Sequence, residues 1–177
     1  MKLFPPSKQS DCGTVLSNWL VVLVVALALA GLAVATMTSI VAKSRILTAQ
    51  EQMRGLETGM LNFVKDRDGL PEAFATNPVR RIDSEMTSAL THKHPQLNPE
   101  GKRYWDLARI SGKPAGFAPT DPFGGIYWII LDTDGDGRVR NPAAPEGEHW
   151  LDSRVLVFSA GPDGDPTTWK DNVRNWK

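Results

Sequence analysis

The sequence predicts an α+β protein in which one long N-terminal helix, half fit to cross a membrane and half amphipathic, packs on a small C-terminal antiparallel sheet. Three observations carry this. There is an uncharged run between Asp11 and Lys43, a helical hydrophobic period that continues beyond it to Val64, and a pair of β-branched and aromatic runs near the C-terminus. At 177 residues the chain has room for one ordinary domain once the apolar segment is set aside.

The helix comes first. From Trp19 to Ala35 the residues are almost all Leu, Val, Ala and Gly, and a bilayer core of roughly 30 Å needs about 20 such residues. Ala26, Ala28, Ala30, Gly31, Ala33 and Ala35 are small enough to let helix backbones approach closely. Ala33-Val34-Ala35 would also serve as the cleavage site of a secretory signal. Helical periodicity does not stop there, however. Ile46, Met53, Leu56, Met60, Phe63 and Val64 follow at spacings near three and four, with Gln50, Glu51, Arg54 and Glu57 between them. One helix from Val15 to Lys65 would measure on the order of 75 Å, more than twice a bilayer core. It should end between Asp66 and Pro71, where Gly69 and Pro71 break it. Residues 14–42 are thus the predicted transmembrane part, 43–66 its amphipathic extension and 67–177 the globular part.

Within the globular part, residues 72–120 read as irregular, with short helices at Met86–Leu90 and Tyr104–Ile110 on either side of the turn-rich Pro95–Gly101. Ile126–Leu131 is a strand ended by Asp132-Thr133-Asp134-Gly135-Asp136-Gly137. Val155–Phe158 is a second, ended by Gly161-Pro162-Asp163-Gly164. Arg138–Arg140 is expected to lie between them. The sheet should have one apolar face, covered by the amphipathic half of the helix.

The composition excludes more than it suggests. Lys+Arg and Asp+Glu are both 20, so the balance indicates no nucleic acid partner. The single cysteine, Cys12, precedes the apolar run, which rules out an internal disulfide and a cysteine zinc site and argues against a lipoprotein. Ser159 stands in Phe-Ser-Ala-Gly rather than a nucleophile elbow, there is no phosphate-cradling loop, and no enzymatic activity is expected. His92, His94 and His149 read as solvated or packed side chains. Trp105, Trp128, Trp150, Trp169 and Trp176 read as core and domain-edge packing. Gly55 and Gly59 have the spacing of a close helix contact. Asp132, Asp134 and Asp136 match the first half of an EF-hand loop, with Arg138 offering a carbonyl, but Ala143 occupies the position of the bidentate Glu. The segment is therefore either a calcium loop completed from elsewhere or an acidic turn. Asp163, Asp165 and Asp171 form a second acidic stretch whose Pro162-Asp163-Gly164 is in itself an ordinary turn.

The order of elements resembles type IV pilins and type II secretion pseudopilins. Asp121-Pro122-Phe123-Gly124-Gly125-Ile126-Tyr127 is similar to the Asp-Pro-Trp-Gly-x-x-Tyr signature of the major pseudopilin. Phe158-Ser159-Ala160-Gly161-Pro162-Asp163-Gly164, through Asp171-Asn172-Val173-Arg174-Asn175-Trp176, resembles its closing Ser-x-Gly-x-Asp-Gly…Asp-Ile-x-x-Trp. The resemblance implies a pilin-like fold in which residues 1–13 are a leader cut after Gly13 by prepilin peptidase, leaving a methylated N-terminus. It implies a single pass through the bacterial inner membrane with the C-terminal domain in the periplasm, and assembly by an inner-membrane platform into a pseudopilus or pilus-like filament. It also implies a structural calcium ion, with Asp163 and Asp171 as ligands and Asp165 as an addition. The start of the helix departs from the family. Thr14 stands where Phe or Met is usual, Asn18 where a Glu neutralises a neighbouring subunit's amine, and Ala35 where many relatives have proline. These departures point to a minor, specialised or unprocessed subunit. The alternative is a signal-anchored, monomeric calcium-binding periplasmic protein.

Overall fold

The computed structural model describes residues 12–106, 118–144 and 149–176. The side chains of residues 12–18, 32–36 and 38 lie outside this description, as does most of the expected leader. Two units divide the chain, Met1–Lys43 and Ser44–Lys177. Helix α1 runs Cys12–Asp66, so the helical period continues as one element to the predicted stop. Along its first part Trp19, Leu20, Val21, Val22, Leu23, Val24, Val25, Leu27 and Leu29 are all exposed. Among the described residues no helix is long and apolar enough to cross a membrane. The described side chains of this stretch run only from Trp19 to Gly31, short of the roughly 20 residues a span requires.

The second unit is a helix packed on a small antiparallel sheet. α1 ends where Arg67, Asp68 and Gly69 turn back to the carbonyls of Val64 and Lys65, with Asp68 at a φ of 55°. Helix α2 (Glu72–Ala75), strand β1 (Val79–Arg81) and helix α3 (Ser84–Thr91) follow. Asp83 caps α3 by accepting the Met86 N–H at 2.8 Å. Of the predicted Tyr104–Ile110 helix, Tyr104–Asp106 is not helical and the remainder lies outside the described residues. Strands β2 (Trp128–Leu131), β3 (Val139–Arg140), β4 (Trp150–Leu151), β5 (Val155–Ser159) and β6 (Val173–Arg174) complete the order.

The main sheet has the order β1-β2-β5-β6, every neighbouring pair antiparallel. Arg138–Arg140 does not lie between the two predicted strands. β2 and β5 pair directly, Ile129 opposite Val157, and β3 pairs with β4 in a separate hairpin. The expectation of one apolar face is also corrected, because β5 is buried at every residue. One face of β2 and β5, with Ile129, Leu131, Val155 and Val157, packs with Met53, Leu56, Met60 and Phe63 of α1. The other face, with Ile130, Leu156 and Phe158, packs under Val139 and Leu151 of the hairpin and under Trp128, Trp169 and Trp176. A strand buried on both faces needs a continuous apolar run rather than an alternating one, and Val155-Leu156-Val157-Phe158 is such a run.

Gly59 explains part of the Gly55–Gly59 spacing. A Cβ there would lie 2.9 Å from the Tyr104 carbonyl oxygen and 3.1 Å from Cβ of Trp105, so the 104–105 segment seats directly on the helix backbone.

Candidate functional site

The residues of the two C-terminal motifs meet in space. Asp121 is buried, and its Oδ1 accepts the backbone N–H groups of Phe123 (3.0 Å) and Gly125 (2.7 Å), which closes the Asp-Pro-Phe-Gly turn. Its Oδ2 accepts the hydroxyl of fully buried Ser159 at 2.5 Å, and Ser159 Oγ accepts the Gly161 N–H at 3.1 Å. Tyr127 donates its hydroxyl to Oε1 of Gln52 on α1, and burial drives its phenol pKa far upward. Ser159 is thus the pin between two turns, with the Asp121 carboxylate as its partner. His92 is likewise occupied, its ring nitrogens bonded to Ser88 Oγ (3.0 Å) and Thr91 Oγ1 (2.8 Å), while His94 Nδ1 accepts the Leu97 N–H.

The first acidic loop gathers as its spacing predicts. Asp132, Asp134 and Asp136 bring one oxygen each to within 4.8 Å of one another, a grouping that can hold a metal ion. Part of their accepting capacity is used by the loop itself. Asp132 accepts Gly135 N–H (2.7 Å) and Gly137 N–H (2.9 Å), and Asp136 accepts Arg138 N–H (2.8 Å). The Arg138 side chain turns away to Asp152 at 3.6 Å. Ala143 supplies no carboxylate, so a hard cation here would draw the rest of its six to eight oxygens from carbonyls and solvent.

The second acidic stretch is built differently. Asp163, Asp165 and Asp171 do not form a comparable three-carboxylate group among the described residues. Asp163 Oδ1 accepts the Asp165 N–H at 2.9 Å. Asp165 accepts the Thr167 N–H and hydroxyl at 2.9 and 2.7 Å, and these bonds, the backbone one first, hold its carboxyl below the ordinary value. Asp171 is where the stretch closes. Gly161, at φ +67°, lies so near the Asp171 carbonyl that a Cβ would sit 2.4 Å from its oxygen, which fixes the 161–164 turn against residue 171. Asp171 Oδ1 and its neighbour Asn172 Oδ1 are both buried and accept no hydrogen bond. These two orphan acceptors are neighbours in sequence, and a buried acceptor without a partner costs about 1–3 kcal/mol. Sequence reasoning missed Asn172; its amide donates to the Pro166 carbonyl at 3.0 Å, which turns Oδ1 inward, and only the fold reveals that orientation.

The expected processing residues Gly13, Thr14 and Asn18 fall in the first turns of α1, and their side chains lie outside the described residues. Of the tryptophans, Trp105 joins the main core, Trp128, Trp169 and Trp176 gather on the outer face, and Trp150 departs from the packing expectation with 48% of its surface exposed. Among models of known protein families, characterised proteins and solved structures, none matches this chain.

Proposed function

We propose that this chain is a structural subunit of a pilin-like filament of the type II secretion pseudopilus kind, held in the bacterial inner membrane and then in the filament by α1. The observation that carries this reading is the apolar stretch of α1, exposed from Trp19 through Leu29 and again at Met37, Ile40 and Val41. Contiguous exposed apolar surface of this extent marks burial by lipid or by other helices. A helix continuing into a domain of its own and the direct link between the two C-terminal motifs at Asp121 and Ser159 support the same reading.

In this function the chemistry is assembly. Prepilin peptidase would cut after Gly13, and the C-terminal domain would stand in the periplasm. Calcium would be held in the C-terminal loop by Asp171 and Asn172, with Asp163 and Asp165 beside them, and would rigidify that loop. The Asp132 loop is the second place for it. Calorimetry on the full chain in detergent should show calcium binding that is lost or weakened at least tenfold in Asp171→Ala. Unchanged affinity in both Asp171→Ala and Asp132→Ala would remove calcium from the account.

Thr14 and Asn18 favour a second reading, a signal-anchored monomer, because they lack the residues the peptidase and the neighbouring subunit's amine require. Mass spectrometry of the mature protein separates the two. A chain beginning at Thr14, together with detergent-resistant oligomers, is the expected result; an intact Met1 on a monomer overturns the filament reading.

A further inference from the structure

Among the described residues the large apolar side chains left exposed fall in two places. All but two lie on α1, between Trp19 and Leu47; the two are Val79 and Trp150. Val79 and Trp150, 46% and 48% exposed, both line a cleft of about 320 Å³ that takes in the edge strand β1 and the β3–β4 hairpin and is also lined by Ile130, Val139 and Pro142. Asp132 and Asp134 stand on its rim. Among the described residues no ion pair engages Asp132, Asp134 or Asp136, and Arg138 is engaged by Asp152. With Asp152 these are four carboxylates, against the three guanidinium groups of Arg138, Arg140 and Arg154 at this end.

Resting on the filament reading, we propose that this cleft receives α1 of a second copy, at the place where its apolar strip meets its first cations. Ile40 and Lys43 are three residues apart and so are neighbours on one helix face. Ile40 is 66% exposed, Lys43 is exposed, and no ion pair holds Lys43 among the described residues. Ile40 supplies the apolar anchor for Val79, Ile130 and Trp150, and Lys43 supplies the charge for the Asp132–Asp136 loop. The middle of the strip, from Trp19 to Leu29, offers no charge and would leave the acidic rim unmatched. A helix laid in a groove with an apolar and a charged anchor is an established mode of docking. The contact joins two different surfaces of identical chains, a head-to-tail arrangement that repeats along an open assembly when its rotation does not close a ring.

The test uses full-length chain with Cys12→Ala, in chelator so that the carboxylates carry no cation. Ile40→Cys and Val79→Cys are placed on separate chains, which are mixed and oxidised as detergent is withdrawn. A disulfide between the two chains is expected, with none from Ile40→Cys to Glu85→Cys on α3. Lys43→Glu, or Asp134→Asn with Asp136→Asn, should cut the yield about tenfold, on the scale of a lost interfacial charge pair, while Glu100→Gln, at an exposed carboxylate outside the cleft, leaves it unchanged. Positions 40, 43, 79, 85, 100, 134 and 136 are exposed, and circular dichroism checks the folding of every variant. If oligomers form by sedimentation without this disulfide, or if Lys43→Glu links equally well, the contact is overturned and the filament reading stands. If the chain remains monomeric, both fall.

Discussion

Asp121 and Ser159 each look unremarkable in the chain, one opening a proline turn and the other following a strand. Together they form a buried pair on which both C-terminal turns hang. Removing the hydroxyl leaves a buried carboxylate oxygen short of a donor and the Gly161 N–H short of an acceptor. Ser159→Ala should therefore lower unfolding free energy by about 1–3 kcal/mol, read from urea denaturation. Gly59 makes the opposite point about helix rules. In an isolated helix Gly→Ala is worth roughly 0.5–1 kcal/mol of stabilisation, but here the new methyl would meet a carbonyl oxygen at 2.9 Å. Gly59→Ala is expected to destabilise by about 1–3 kcal/mol, the usual cost of overpacking, and a raised melting temperature would refute that packing. The letters of such residues were legible in the sequence. Their partners were not, because Asp121 and Ser159 are brought together only by the fold.

At the scale of elements the reading went further. The extent of α1 followed from its period, and β2 and β5 from their branched and aromatic runs. β1 and β6 were invisible: three and two residues long, they carry too little pattern to stand out and exist because a neighbour strand pairs with them. The two-sided burial of β5 was written in its unbroken Val-Leu-Val-Phe, but a sheet with one apolar face was expected instead. Among the candidate ligands, the spacing of Asp132, Asp134 and Asp136 sufficed to foresee their convergence, whereas Asn172 needed the loop's actual path. One element contact is open to titration. Glu57 on α1 accepts the Asn175 amide at 2.6 Å, and burial raises its pKa despite that bond and nearby Arg54. A carboxyl raised on folding is most favourable when protonated, so its contribution is full below the ordinary glutamate range near 4.5 and is lost as pH rises through the folded value. Glu57→Gln, which keeps an acceptor for Asn175, should raise the melting temperature near neutral pH and give no gain in acid. An equal gain at both ends would assign the effect to something other than ionisation.

For the second unit as a whole, two cores share one sheet, and the chain's last residues serve both. Val173 joins the helix-side core, Trp176 the outer one, and Asn175 Oδ1 accepts the Val157 N–H at 3.2 Å. Truncation after Asn172 removes β6 and all three contacts. Such a chain should lose its near-ultraviolet circular dichroism while α1 keeps its far-ultraviolet helical signal; native aromatic signals in the truncated chain would contradict the shared-core account.

The bond between Glu57 and Asn175 spans 118 positions of the chain, and that separation has a biosynthetic consequence. A ribosome adds roughly 5–20 residues per second, so α1 waits several seconds for the segment that completes its domain. Until then the domain has no finished tertiary structure, and the pace of its folding is set by synthesis of the segment around Asn175.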